Sequence, residues 1–284
     1  MKAGFIGLGH LGKAMAKRLI SENVELVVWN RTREKASDLG VKIADSPASL
    51  ISEVEILFMN LFDSSAVEAV IAGKEGIIKG ECKGKIIIDT TTNHFELVML
   101  FHEILRKHEA SYLESPVLGS VVPASQGALS VLVSGDKIAF DRALPYIEKI
   151  GKNIFYLGGT TLATKMKLIN NLVLGSFMAT LAEAVVFGEK AGVDKTAVID
   201  ILSAGAGNSA VLNAKKEKLI REEFAAHFSS SLIYKDLHYL QDLARSLKRP
   251  LFTGSVAKEL YGMTFRDGLD TMDFSAIYSI LKKM

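Results

Sequence analysis

A chain of 284 residues with 49% hydrophobic and 23% charged residues has the balance of a folded protein and room for one large or two ordinary domains, which excludes a disordered tail or a highly charged scaffold. A formal net charge of +2 gives no reason to expect a polyanionic partner. The densest basic run, Lys215 to Lys218, is interrupted by Glu217 and is expected to be a solvated helix face, so nucleic acid is not an expected partner.

In chain order, β-rich runs recur between helical patterns: "KAGFI" (2 to 6), "ELVVW" (25 to 29), "ILFM" (56 to 59), "KIIID" (85 to 89), "SYLES" (111 to 115), "LSVLVSG" (129 to 135) and "NIFYLG" (153 to 158). Continuous apolar strands alternating with helices predict a mainly parallel sheet covered on both faces. Gly40 sits where the helix after Arg31 should stop, and Ser46 followed by Pro47 reads as an N-cap with proline at the first helical position. After about Thr161 the β signal disappears, and long helical patterns run to the end with breaks near Gly205 to Gly207 and at Pro250. The fold class is therefore α/β: an N-terminal Rossmann-type domain over 1–160, followed by an all-α C-terminal domain over 161–284.

"GLGHLG", Gly7 to Gly12, follows the first strand and opens the first helix, the context that gives G-x-G-x-x-G its meaning. Gly7 permits the tight turn, Gly9 lets backbone approach a pyrophosphate, and Gly12 lets helix and strand pack closely. The amides of Leu8, His10 and Leu11 then belong to a helix N-terminus suited to phosphate; for His10 the contact expected is through the backbone. The same residues spell most of a P-loop, G-x-x-x-x-G-K, and "KIIID" resembles the strand such enzymes end in Asp. A P-loop, however, needs Ser or Thr after its lysine to hold Mg²⁺, and this chain has Ala14.

NAD enzymes usually place a carboxylate at the end of the second strand, ~20 residues past the glycines, to bind the ribose 2′-hydroxyl. Here the chain reads "WNRT". Asn30 is neutral, Arg31 offers a planar cationic fork and Thr32 a hydroxyl, a set suited to a 2′-phosphate, so NADP(H) is expected over NAD(H). Thr32 could instead cap the next helix, a role compatible with phosphate binding.

"GFIGLGHLGKAMAKRL", "WNRT", "SPVLGS" and "KMKLINN" together resemble the β-hydroxyacid dehydrogenase family, which includes 3-hydroxyisobutyrate dehydrogenases and glyoxylate or succinic semialdehyde reductases. The resemblance covers nearly the whole chain, and it implies that the domain over 1–160 binds NADP and that the helical domain over 161–284 serves substrate binding and oligomerisation. It implies an NADPH-dependent reductase of a small aldehyde or 2-oxo acid, with Lys167 as the catalytic lysine and Asn171, four residues later, beside it. It places Leu61, Phe62, Thr92 and Lys235 on the cofactor, and Leu118, Gly119, Ser120, Phe228 and Asp236 on the substrate, the last group in part by closing over the site. Leu118 departs from the pattern, because many members carry a serine there that hydrogen-bonds the substrate carboxylate. Its loss weakens or redirects substrate binding by the worth of a neutral hydrogen bond, ~0.5–1.5 kcal/mol, leaving backbone amides near Gly119 and Ser120 to hold a carboxylate.

The physical reason for a lysine in "TKMKLINN" is that carbonyl reduction needs a proton for the oxygen and a charge to stabilise it, and partial burial brings a lysine toward the working range. Lys165, two positions away, points to another face, and Asn170 is expected to serve packing or the substrate rim. The histidines show no H-E-x-x-H and no Cys/His cluster, so no metal is expected, and Ser209 lacks the second glycine of a nucleophile elbow and reads as a loop serine. The lone Cys82 excludes an internal disulfide and reads as a buried or inert thiol. No basic leader or cleavage site precedes the glycine turn, so a cytoplasmic protein is expected. The apolar run Leu172 to Gly188 contains Glu183 and reads as a buried helix with no membrane partner; the family's use of this helix implies a homodimer or homotetramer. The rival from another class is a catalytically silent NADP-binding protein, with Leu118 as the sign of lost substrate handling.

Overall fold

The computed structural model describes residues 1–284. By compactness the chain divides into Met1–Lys167 and Leu168–Met284, a division inside one long helix and a few residues beyond the change in composition near 160.

In the first unit β1 (Lys2–Ile6), α1 (His10–Ser21), β2 (Glu25–Trp29), β3 (Lys42–Ile43), α2 (Pro47–Glu53), β4 (Ile56–Met59), α3 (Ser64–Ala72), β5 (Ile86–Asp89), α4 (Phe95–Lys107) and β6 (Ser111–Glu114) alternate strand with helix. They are followed by β7 (Val117–Leu118), α5 (Val121–Ser125), β8 (Leu129–Ser134), α6 (Lys137–Ile147) and β9 (Gly151–Gly158). The nine-stranded sheet runs β3-β2-β1-β4-β5-β6-β8-β7, with β9 also on β8. Pairing is parallel from β3 through β6 and between β8 and β9, and antiparallel where β8 meets β6 and β7. The two-residue strands β3 and β7 are too short for a hydrophobic run to announce them.

Alternation builds two cores, one on each face. Phe5, Phe58 and Ile88 pack with Met15 and Leu19 of α1, while Ile6, Leu57 and Ile87 pack with Leu50, Val67 and Phe101 of the opposite helices. Both faces are covered, as parallel strands without an alternating polar side require. Ser46 accepts from the Ser49 amide and Ser49 reciprocates, so α2 starts with a capping box and Pro47 at its first position. The segment after Arg31 is a 3-10 turn, Arg33–Leu39, ended by Gly40 in the left-handed region.

The long helix α7 (Leu162–Lys190) leads into the second unit, which holds α8 (Lys195–Ala204), α9 (Ala210–Arg221), α10 (Ser230–Ser246), α11 (Thr253–Arg266) and α12 (Ile277–Lys282). Ile233, Leu237, Leu240 and Leu243 form the buried stripe of α10, and Tyr261 of α11 donates to the Gly175 carbonyl at 3.1 Å. Ser209, expected in a loop, caps α9 by accepting from Leu212 N. Cys82 is buried with its thiol toward the His108 carbonyl at 3.7 Å, and burial pushes that thiol's pKa up.

One expectation is overturned here. Lys215 is not on a solvated face: it is 6% exposed, and its ammonium meets Asp273 at 2.8 Å. The reason is helical spacing, because Leu212, Lys215 and Leu219 share one inward face. Asp273 also accepts from the His227 and Phe228 amides and from the Ser275 hydroxyl. Burial alone would raise the pKa of its carboxyl, but Lys215 and these donors hold it below the ordinary range. Removing one partner leaves an uncompensated buried charge, so Lys215→Met is expected to cost about 3–5 kcal/mol of stability. Because the folded-state pKa is depressed, the stability contributed by Asp273 is complete above its unfolded value of about 3.9 and fades as pH falls through the lower folded value. Melting temperature against pH should therefore show a shallower acid limb in Asp273→Asn than in the parent; identical limbs would refute the assignment.

Candidate functional site

The Rossmann half is assembled at the carboxyl ends of β1, β4 and β5, where β1 pairs with β2 on one side and β4 on the other. This is the topological switch point at which such sheets bind ligands. Gly7 adopts φ +96°, and a Cβ on it would lie 2.1 Å from the Asn60 carbonyl oxygen. A Cβ on Gly12 would lie 2.0 Å from the Gly7 oxygen, so the start of α1 is locked against the turn. Around Gly9, by contrast, an added Cβ meets nothing within 4 Å, which leaves its backbone open to a ligand.

Gly9 is the N-cap of α1 and supplies no side-chain cap, and the first turn carries no acidic residue. The amides of His10, Leu11 and Gly12 thus have no intrahelical acceptor and sit at the positive end of the helix dipole. A groove of about 660 Å³ opens here, lined among others by Leu8, Gly9, His10, Val121 and Ser125. His10 is exposed at the turn. These features fit a dinucleotide pyrophosphate. They fit a P-loop poorly, because Lys13 is turned aside to Asp38 at 2.6 Å, and together with Lys17 it pulls the Asp38 carboxyl down to about 2.

At the end of β2 the side chain of Asn30 has a job that the sequence did not announce. Its Oδ1 accepts from Leu8 N at 2.8 Å and its Nδ2 donates to the Thr32 carbonyl at 2.8 Å. Asn30 therefore ties the glycine turn to the "RT" segment, and its remaining amide hydrogen and lone pair are what it can offer a ribose. Arg31 and Thr32 are exposed, and Thr32 makes no capping hydrogen bond although it precedes the 3-10 turn.

Beyond β4 and β5 a buried polar network shapes the next wall. Asn60 donates to Thr90 Oγ1 at 2.9 Å, and Leu61 N donates to Thr91 Oγ1 at 2.9 Å. Asp89 accepts from Thr91 N, from Asn93 Nδ2 and, at 2.6 Å, from the Tyr112 hydroxyl. Burial pushes the Asp89 carboxyl pKa up, against the pull of these donors. Asp89 was visible only as the end of "KIIID"; its function is to fix the loop bearing Thr92, which is half-buried, opposite Leu61 and the 54% exposed ring of Phe62.

After β6 the chain turns through β7. Leu118 pairs with Ser130 and is half-buried, while Gly119 has φ +126° in a space where a Cβ would meet Leu129 at 2.8 Å and Pro123 at 3.3 Å. Ser120 follows as the N-cap of α5 and makes no capping hydrogen bond.

Lys167 is 8% exposed, the last residue of the first unit and one helical turn before Asn171 on α7. Lys165 departs to a different face, with Nζ 5.7 Å from the Phe95 ring centroid. In the second unit Asn171 is fully buried, and its Nδ2 donates to Asp236 Oδ2 at 2.6 Å. Asp236 Oδ1 accepts from Lys235 Nζ at 2.7 Å, and Asn170 donates to Asn171 Oδ1 at 3.1 Å. Asn170, Asn171, Asp236 and Lys235 thus form one chain of side chains that fixes which way the Asn171 amide faces. Phe228 lies apart from them, edge-on to Phe274 at 5.8 Å.

A glycine-turn Rossmann domain that ends on a buried lysine and runs through a long helix into a helical domain defines a nicotinamide-dependent oxidoreductase. Residues 2–158 match the NAD-binding domain of 6-phosphogluconate dehydrogenase, and residues 162–281 match the NAD-binding domain of NADP-dependent 3-hydroxyisobutyrate dehydrogenase. Glyoxylate/succinic semialdehyde reductase 1 of Arabidopsis thaliana is 32% identical over 99% of this chain and 99% of its own length. Its chloroplastic counterpart, reductase 2, is 33% identical over 98% of this chain and 79% of its own. Among solved structures, Psf3 in complex with NADP⁺ and 2-OPP superposes with a TM-score of 0.91 at 27% identity, over 98% of this chain and 99% of that one. The chain belongs to the β-hydroxyacid dehydrogenase family and is an NAD(P)-binding oxidoreductase.

Because Asn30 bridges two cofactor loops, Asn30→Ala is expected to weaken dinucleotide binding about 10-fold, the equivalent of one or two lost hydrogen bonds. Titration of the nicotinamide fluorescence measures it; an unchanged Kd would show that the loops hold without the bridge.

Proposed function

We propose that this protein is an NADPH-dependent reductase of a small aldehyde or 2-oxo acid, with glyoxylate and succinic semialdehyde as the first candidates. The observation that carries the proposal is Lys167, buried on α7 one turn from an Asn171 whose amide is held by Asp236. Bound NADPH supplies a hydride to the carbonyl carbon. Lys167 stabilises the charge that grows on the oxygen and gives it a proton, and Asn171, with Asn170 and Asp236 behind it, orients the lysine or the substrate. Leu118 offers no hydrogen bond, so the amides at Gly119 and Ser120 hold the substrate carboxylate. Phe228 and Asp236 complete the substrate side, and Thr92, Leu61, Phe62 and Lys235 the cofactor side.

The preference for NADPH rests on the end of β2. Arg31 and Thr32 are exposed there and Asn30 is neutral, whereas a carboxylate would repel the 2′-phosphate. The names of the Arabidopsis relatives support the substrates chosen. Leu118 favours one rival, a protein that binds NADPH without turnover; within the class, 3-hydroxyisobutyrate or tartronate semialdehyde are the alternative substrates. We place the enzyme in the cytoplasm as a homodimer or homotetramer, acting on a small carboxylate and on neither nucleic acid nor membrane. The length and apolarity of α7 would suffice to cross a bilayer, but Met166, Ile169, Val173 and Phe177 make an exposed row on it suited to another subunit.

Lys167→Ala is expected to lower kcat on the order of 10²–10⁴-fold while leaving the NADPH Kd within a factor of about 3. Assaying parent and variant on the four acids with both nicotinamides measures this. A variant that keeps most of its activity would refute the role of Lys167, and a parent that binds NADPH tightly but turns over none of them would favour the silent rival.

A further inference from the structure

The start of α7 is held by side chains of two sheet strands. Glu114, the last residue of β6, is 1% exposed, and its two carboxyl oxygens are used separately. Oε1 accepts a hydrogen bond from Thr161 N and Oε2 accepts from Thr164 N at 2.9 Å. Between them Ala163 N donates to Ser134 Oγ, on β8, at 3.0 Å. Helix N-termini leave their first amides without acceptors, and a buried terminus must find them elsewhere. Here a carboxyl and a hydroxyl from two sheet strands take three of them.

The backbone shows how tightly this is enforced. Thr161 has φ +74°, a left-handed conformation that a β-branched residue adopts only when its surroundings over-determine it. The Thr161 amide is the one bonded to Glu114. A helix start taken up from a strained residue, with the amides of Thr161, Ala163 and Thr164 all held by strand side chains, has little freedom to rotate or slide. Lys167 lies one turn beyond Ala163, the amide held by Ser134.

We infer that Glu114, assisted by Ser134, is the positioning residue for Lys167: it clamps the first turn of α7 so that the ammonium is presented at one azimuth and height. This rests on the catalytic role proposed for Lys167. Glu114 touches no reacting atom; it acts through the helix. His102 places Nε2 3.9 Å from Glu114 Oε1 and packs edge-on against Tyr112, so it borders the clamp without replacing either amide contact.

The test is a double-mutant cycle in the full-length protein. Glu114→Gln keeps the shape but turns an NH₂ toward one of the two amides, so one bond is lost and replaced by repulsion between donors. We expect kcat to fall by about 10- to 100-fold, the effect of displacing a catalytic group by about 1 Å, with the NADPH Kd changed less than about threefold. In the Lys167→Ala background the same substitution should lower kcat no further, because the group it positions is gone. Ser134→Ala, which removes one small hydroxyl, should show the same dependence with a smaller fall and provides the reading if Glu114→Gln does not fold. Equal falls in both backgrounds, or no fall in the parent, would overturn the inference while leaving Lys167 in place. Full activity in Lys167→Ala alone would instead overturn the role of the lysine, and this inference with it.

Discussion

The molecule depends on how buried carboxyl groups are satisfied at the ends of parallel strands. Asp89 and Glu114 are opposite each other in the β5–β6 register, both at a carboxyl end and both essentially without solvent. Leaving such groups unbonded would cost more than any single apolar contact returns. Each is instead spent on backbone and neighbouring side chains: Asp89 organises the Thr90–Asn93 loop, and Glu114 receives the start of α7. The wall of the cofactor site and the origin of the lysine helix are therefore fixed by the same pair of strands. A one-residue slip between β5 and β6 would disturb both, because it would turn one carboxyl to the other face of the sheet.

The glycine turn solves the opposite problem, which is to leave polar groups unsatisfied on purpose. Gly7 and Gly12 bring helix and strand so close that no Cβ fits, while Gly9 keeps open space in front of amides that have no acceptor. Asn30 stabilises that open arrangement from the side, by bonding the Leu8 amide and the Thr32 carbonyl across 22 residues of sequence. A rigid donor cradle loses little entropy when an anion arrives, so the order imposed by Asn30 is worth more to binding than a direct contact by a mobile side chain would be.

What the sequence disclosed follows from which constraints are local. Apolar runs and glycine spacing are demands of single strands and turns, so β1, β2, β4 and the Gly7–Gly12 turn were legible, as were the Ser46 cap and the breaks at Gly205 and Pro250. Strands β3 and β7 were not, because two residues carry no period. Lys215 is hidden within a charged run because burial follows the helix and not the chain; the i, i+3, i+7 set of Leu212, Lys215 and Leu219 turns it inward. The bonds of Asn30, Asp89 and Glu114 connect elements far apart in sequence, and only the folded sheet reveals them. Lys167, Asn170 and Asn171 are legible as polar residues in an apolar helix and Glu114 as part of "SYLES", but the bonds by which Asn170 and Glu114 act are not.

The two halves of α7 are governed by different chemistry. Up to Lys167 the helix is tied by its amides to sheet strands, a rigid attachment made of hydrogen bonds to Glu114 and Ser134. From Asn171 onward it is tied by side chains within the second unit, through the chain of Asn170, Asp236 and Lys235. Lys167 and Asn171 are thus neighbours on one helix whose start is anchored by backbone hydrogen bonds and whose Asn171 amide is fixed by a charged network. A substitution in either support should be felt by its own residue first.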